Sequence, residues 1–150
     1  MARTYFNVLA IEVTSTTAAR TVLQLKAPTN QRVAIWEVSV SFKGTNAAQT
    51  PIKVEFVQQT TAGSGGVSAS LTKDDPSSPD TVQSTALQAL TTEPTGTAVS
   101  FAEEVNAASG GFYYGAPQDK PIQVPPNNYL GIRITADTNT TLIARLRCEE

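Results

Sequence analysis

Histidine is missing from this chain altogether, and cysteine, methionine and tryptophan occur once each. Without histidine there is no Ser-His-Asp or Cys-His triad and no His-ligated zinc or iron site. The commonest general base is lost as well. A lone cysteine, Cys148, excludes an intramolecular disulfide and any multi-thiolate metal centre. Charged residues are also scarce, at 16% against a usual ~25%. The net charge of −2 gives no basic surface for nucleic acid or for an anionic membrane. No run approaches the ~18 apolar residues of a membrane span, and no apolar segment follows Met-Ala-Arg-Thr-Tyr as a secretory signal would. The expectation is a protein made and folded in a cytoplasm, with neither nucleic acid nor membrane as partner.

Thr, Ser, Gln and Asn take the place of the missing charges, a composition suited to exposed strands and loops. Period-two alternation is the dominant pattern. Trp36, Val38, Val40 and Phe42 point one way, and Glu37, Ser39, Ser41 and Lys43 the other. A turn-rich stretch from Lys43 to Asn46 follows. Ile52, Val54 and Phe56 then alternate with Lys53 and Glu55, opened by Pro51. These two segments are expected to pair. Leu130, Ile132, Ile134 and Ala136 are followed by a turn at Asp137-Thr138-Asn139, then by Leu142, Ala144, Leu146 and Cys148, the best hairpin pattern in the chain. Cys148 thus reads as a buried apolar residue, with Arg145 and Arg147 on the opposite face.

From Tyr5 to Thr14 both faces are apolar, Leu9, Ile11 and Val13 on one and Phe6, Val8 and Ala10 on the other. Such a strand wants cover on both sides. Shorter strands are expected at Thr21–Leu25, around Val99, Phe101 and Val105, at Phe112–Tyr114 and at Pro121–Val124. About eight short strands in one domain over 1–150 indicate an all-β, antiparallel β-sandwich or barrel, which jelly-roll and immunoglobulin-like arrangements both fit. The segment 60–97, rich in Gly, Ser, Thr, Pro and Asp, reads as one long polar excursion. After Pro79-Asp80, the residues Val82, Ala86, Leu87 and Leu90 read as a short helix, with an extended segment lying on a neighbour as the alternative.

Chemical motifs are sparse. Gly63-Ser64-Gly65-Gly66 lacks the lysine and spacing of a phosphate loop. Asp74, Asp75 and Asp80 match no EF-hand pattern and read as solvated carboxylates. No catalytic, cofactor-binding or metal-binding residue is assigned. Trp36 and the Phe112-Tyr113-Tyr114 run are the visible aromatics. They read as core plus a subunit contact or, if exposed, as a carbohydrate-binding platform.

The segments Ala34–Phe42 and Ile52–Gln59, with Val57-Gln58-Gln59-Thr60-Thr61-Ala62-Gly63, carry a resemblance to a known group. So do Lys73-Asp74-Asp75-Pro76, Thr92-Glu93-Pro94-Thr95 and Tyr129-Leu130-Gly131-Ile132-Arg133-Ile134-Thr135-Ala136. Together they resemble small virion proteins of tailed bacteriophages that include β-sandwich capsid decoration, or cement, proteins. The resemblance implies a jelly-roll-like homotrimer on the outer capsid surface, with the major capsid protein as partner and no enzymatic activity or cofactor. Cement function resides in surfaces, so no functional residue carries over from it. The patterning places the subunit contact at Tyr5, Phe6 and Val8. It places the capsid contact on the excursion, at Thr60, Thr61, Lys73, Asp74, Asp75, Leu87 and Leu90. The alternative is a carbohydrate- or receptor-binding sandwich of a tail or fibre, which requires Trp36, Tyr113 or Tyr114 exposed beside a groove.

Overall fold

Alternating apolar residues commit the longer segments to one buried face, and among the described residues twelve strands stack as two antiparallel sheets. The computed structural model describes residues 3–43 and 50–150; the turn expected from Lys43 to Asn46 lies largely outside them. The strands are β1 (Tyr5–Thr14), β2 (Arg20–Lys26), β3 (Val33–Lys43), β4 (Ile52–Gln59), β5 (Val67–Ser68) and β6 (Ser70–Lys73). They continue as β7 (Thr85–Gln88), β8 (Gly96–Val105), β9 (Gly111–Gly115), β10 (Ile122–Val124), β11 (Tyr129–Thr135) and β12 (Thr141–Glu149). A 3₁₀ turn at Ala107–Ser109 is capped by the Asn106 side chain. The first sheet runs β10-β3-β12-β1-β6, with β9 also paired to β3; the second runs β5-β7-β2-β11-β4-β8.

The pairings nest. β1 pairs with β12, β2 with β11, β3 with β9 and β4 with β8, each antiparallel. Setting aside the short β5, β6, β7 and β10 leaves two four-stranded sheets, β1-β12-β3-β9 and β2-β11-β4-β8. That is the connectivity of a jelly roll, one long hairpin rolled so that successive strands fall in opposite sheets. The jelly-roll expectation therefore holds, with twelve strands in place of about eight.

The same rolling corrects two expected hairpins. β3 and β4 do not pair, and neither do β11 and β12; each crosses to the other sheet. Their alternation correctly marks the buried faces, since Val38, Val40, Ile52, Val54, Phe56, Ile132, Ile134, Leu142, Ala144, Leu146 and Cys148 all lie in the core. Burial is the same whether the neighbour in sequence lies beside a strand or across the sandwich from it.

The middle of the chain is the second correction. No α-helix forms after Pro79; β7 runs extended along β2, pairing Ala86 with Leu25 and Gln88 with Leu23. Nor is 60–97 a projecting excursion. β6 completes the first sheet beside β1, β5 and β7 extend the second, and the connections fold back over the outer surface of the second sheet. Edge backbone groups of β1 and β2 that would otherwise be open find partners this way.

Two bulges decide what faces outward on the first sheet. In β1, Ala10 pairs with Ala144 but Val13 with Leu142, so one extra residue is taken up around Glu12, whose φ is 54°. Phe6, Val8 and Ala10 are inward before it and Val13 after it. The backbone amide of Ile11 donates to the Gln88 side-chain oxygen at 3.1 Å, satisfying a donor inside the bulge. In β3, Cys148 pairs with Ile35 and Arg147 with Glu37, leaving Trp36 as the extra residue. Ile35 and Val38 both reach the core, and Trp36 and Glu37 stand outside. The expected grouping of Trp36 with Val38 and Val40 is thereby corrected.

Phe56, Phe101, Phe112 and Tyr114 close the sandwich where β8 meets β9. Their ring centroids lie 5.4 to 6.0 Å apart in tilted, stacked and edge contacts. Such pairs stabilise by ~0.5–1.5 kcal/mol each beyond their buried area.

Candidate functional site: the outer face of the first sheet

The outward residues of the two sheets meet different fates. On the second sheet, Thr21, Gln24 and Gln59 are buried although they point away from the core. The Gln24 side-chain nitrogen donates to Gln59 Oε1 at 2.7 Å and to the Thr61 carbonyl at 3.0 Å, and Gln24 Oε1 accepts from the Gly63 amide at 3.0 Å. Gln59 Nε2 donates to Thr21 Oγ1 at 3.0 Å. The Thr21 hydroxyl donates to Glu93 Oε2 at 2.8 Å, and the Thr21 amide donates to Glu93 Oε1. Gly131 makes room for this network, because a Cβ there would lie 2.6 Å from the Gln59 amide. Above it Leu90, fully buried, lies against Gly63 and Gly66. Arg20 fastens the cover by donating to the carbonyls of Leu90 at 2.7 Å and Ala89 at 2.9 Å.

On the first sheet the outward side chains are covered less completely, mostly by one another and by Asp74. Ile11 is 56% exposed and Ile143 40% exposed, on paired strands and opposite each other across the β1 bulge. Further along, Glu37 of β3 accepts from Arg145 at 3.1 Å and from Arg147 at 3.2 Å, both on β12. Arg147 reaches on to Asp74 at 3.0 Å, and Asp74 accepts from the Asn7 amide at 2.6 Å. The carboxylates of Asp74 and Glu37 hold the Arg147 guanidinium's pKa above its ordinary value.

At the Tyr5 end of this face the ladder floors a cleft of about 450 Å³, lined by Tyr5, Trp36, Glu37, Tyr113, Gly115, Ala116 and Arg147. The Trp36 indole N–H donates to Glu149 at 2.8 Å, which fixes the ring, and Glu149 also pairs with Arg3 at 3.1 Å. Tyr113 is 62% exposed and lies along Gly115, where a Cβ would come within 3.4 Å of its ring.

The expected contact residues are only partly gathered here. Tyr5 is 39% exposed and on the cleft rim, but Phe6 and Val8 are wholly buried in the chain's own core and offer a partner nothing. They face inward because the bulge lies beyond them, at Glu12. Among the expected capsid contacts, Leu90 is consumed by the cover over the second sheet, and Leu87 stands partly buried opposite Gln24. Thr60 and Thr61 are exposed but tied to Thr95 by backbone and hydroxyl hydrogen bonds at 3.0 and 2.8 Å. Lys73 spans the turn after β6, donating to the carbonyls of Ser78 and Asp80. Asp74 belongs to the arginine ladder, and Asp75 accepts from Ser77. These residues divide between the two sheets and form no single surface.

Glu37 and Arg147 carry no sequence signal, since β3 and the C-terminal strand meet only through the roll. Among the described residues no group of three or more Cys, Asp or Glu converges as around a metal ion. Cys148 is fully buried, and burial pushes its thiol well above the ordinary range, as expected of a core residue. Comparison with protein-family models, curated proteins and solved structures finds no match for the chain.

Proposed function

We propose that this chain is a non-catalytic virion structural protein, a capsid decoration protein that assembles as a homotrimer on the outer surface of a phage capsid. The sequence resemblance supplies the class. The observation that carries the assembly is the exposure of two large aliphatic side chains, Ile11 and Ile143, on the paired strands β1 and β12. Burying two such side chains against another copy contributes about 1.5–3 kcal/mol each, and a trimer repeats that gain at every interface. The subunit contact thus moves from Phe6 and Val8 to the opposite face of the same strand. Leu9, partly exposed between Tyr5 and Ile11, belongs to it.

Cement action follows from multiplicity. A rigid sandwich held at several points bridges neighbouring capsid subunits, and many copies sum modest contacts into resistance against internal pressure. Immunogold labelling of intact virions with antibody against this chain tests the placement. Grains over the capsid shell are the expected result. Grains confined to the tail would replace this reading with that of a tail or fibre module.

A further inference from the structure

The cleft at the Tyr5 end stands about 13 Å along β1 from Leu9, the nearest residue of the subunit patch on that strand, at ~3.3 Å per residue. Its walls come from four strands and its composition is that of a small-ligand site: aromatic surface with a few fixed polar groups, in a volume of about 450 Å³. The β3 bulge is what turns Trp36 out to this face, and bulges are a recurrent means of re-aiming a side chain.

We propose that this cleft binds a neutral pyranose unit of an oligosaccharide. One face of a pyranose is a sheet of C–H groups that packs on an aromatic ring, while its hydroxyls need donors and acceptors at the edge. Tyr113 and Trp36 supply the rings, and Glu37 and Arg147 supply the edge. The polar pair is preorganised: Glu37 is held by two arginines and Arg147 by two carboxylates, so little rotamer freedom is lost on binding. A carboxylate has about four lone-pair sites, and Glu37 spends two on arginines, leaving acceptors for sugar hydroxyls.

Charge selects within the class. Around the cleft, Glu37, Asp74 and Glu149 are matched by Arg3, Arg145 and Arg147 in ion pairs. Arg147, the guanidinium lining the cleft among the described residues, is already engaged by two carboxylates, so neutral hexoses are favoured over sialic or uronic acids. The proposal sharpens the carbohydrate-binding alternative raised by the aromatic residues, and it does not depend on the decoration reading.

Trp36 is the sole tryptophan, so its fluorescence reports on the cleft directly. The test uses the full chain on an array of neutral and acidic oligosaccharides, then titrates the best neutral hit while following tryptophan emission. The expected result is saturable binding of neutral hexose-containing glycans in the micromolar to millimolar range, with a shift in Trp36 emission. Tyr113→Ala should weaken it about tenfold or more, and Glu37→Gln by a smaller factor. Circular dichroism and light scattering on both variants separate loss of the site from loss of fold or assembly, and Tyr5→Ala provides a third probe. Three results overturn the proposal: no glycan binding at millimolar concentration, preference for acidic glycans, or binding that leaves Trp36 emission unmoved and survives Tyr113→Ala. A protein ligand captured by the same residues, with every glycan silent, would assign the cleft to protein recognition instead.

Discussion

The two outer faces of the sandwich differ in who finishes them. Over β2 and β11 of the second sheet the chain folds back on itself, and polar side chains there become buried structure, Gln24, Gln59, Thr21 and Glu93 bonding to one another and to the covering backbone, while Val67 and Val99 at its two edges stay exposed. Over the first sheet the outward residues of β1, β12, β3 and β9 stay open, carrying Ile11, Ile143, Tyr5, Trp36 and Tyr113. The lesson is that polarity alone does not mark a surface. Gln24 and Gln59 of the second sheet are interior, and Ile11 and Ile143 of the first are exterior. A face that the chain covers is a matter of stability; a face left apolar and bare is where association is sought.

Substitutions on the covered face should therefore cost stability, and those on the open face should cost association. The largest effect is expected for Leu90→Ala. It empties the packing against Gly63 and Gly66 and should destabilise by about 3 kcal/mol in urea unfolding. Gln24→Leu leaves the Gly63 amide and the Thr61 carbonyl without their partner and should lose about 2 kcal/mol by the same measurement. A stability within about 0.5 kcal/mol of the parent for either variant would break the contrast.

Glu55, buried on the outer side of β4, gives a pH-dependent version. Burial pushes its pKa up, but the hydrogen bond and charge of Arg133 at 3.0 Å, with Lys53 nearby, outweigh that and leave it below the ordinary value. A depressed folded pKa means the carboxylate stabilises the fold above the unfolded value of about 4.3, and that gain is lost as pH falls through the folded value. Glu55→Gln should thus be less stable than the parent at pH 7, with the difference shrinking in acid. A constant difference between pH 7 and pH 3 would remove Glu55 from the account. The smallest change in stability is expected for Ile11→Asp, within about 0.5 kcal/mol for the isolated domain, because the side chain already faces solvent there.

How much of this was legible beforehand follows from what alternation encodes. It reports which side chains are inward, and for β4, β11, β12 and the second half of β3 it does so correctly. It is silent on which strand lies alongside, and in a jelly roll the neighbour in sequence lies in the other sheet, so both expected hairpins failed. Bulges reverse the parity within a strand and have no dependable sequence mark; Glu12 adopts a positive φ without being glycine. Strands of two to four residues, as in β5, β6 and β7, are too short to alternate, so the segment 60–97 read as a loop. Trp36 and Tyr113 were legible as a possible platform. Their polar companions Glu37 and Arg147 were not, being brought together by pairing across most of the chain.

The most direct test of the open-face account is the solution mass of the purified protein and of its Ile11→Asp variant, by light scattering coupled to size exclusion. The account predicts roughly three times 15.9 kDa for the parent and a folded species near 15.9 kDa for the variant. A parent that runs as a monomer, or a variant that keeps the trimer mass, would contradict it.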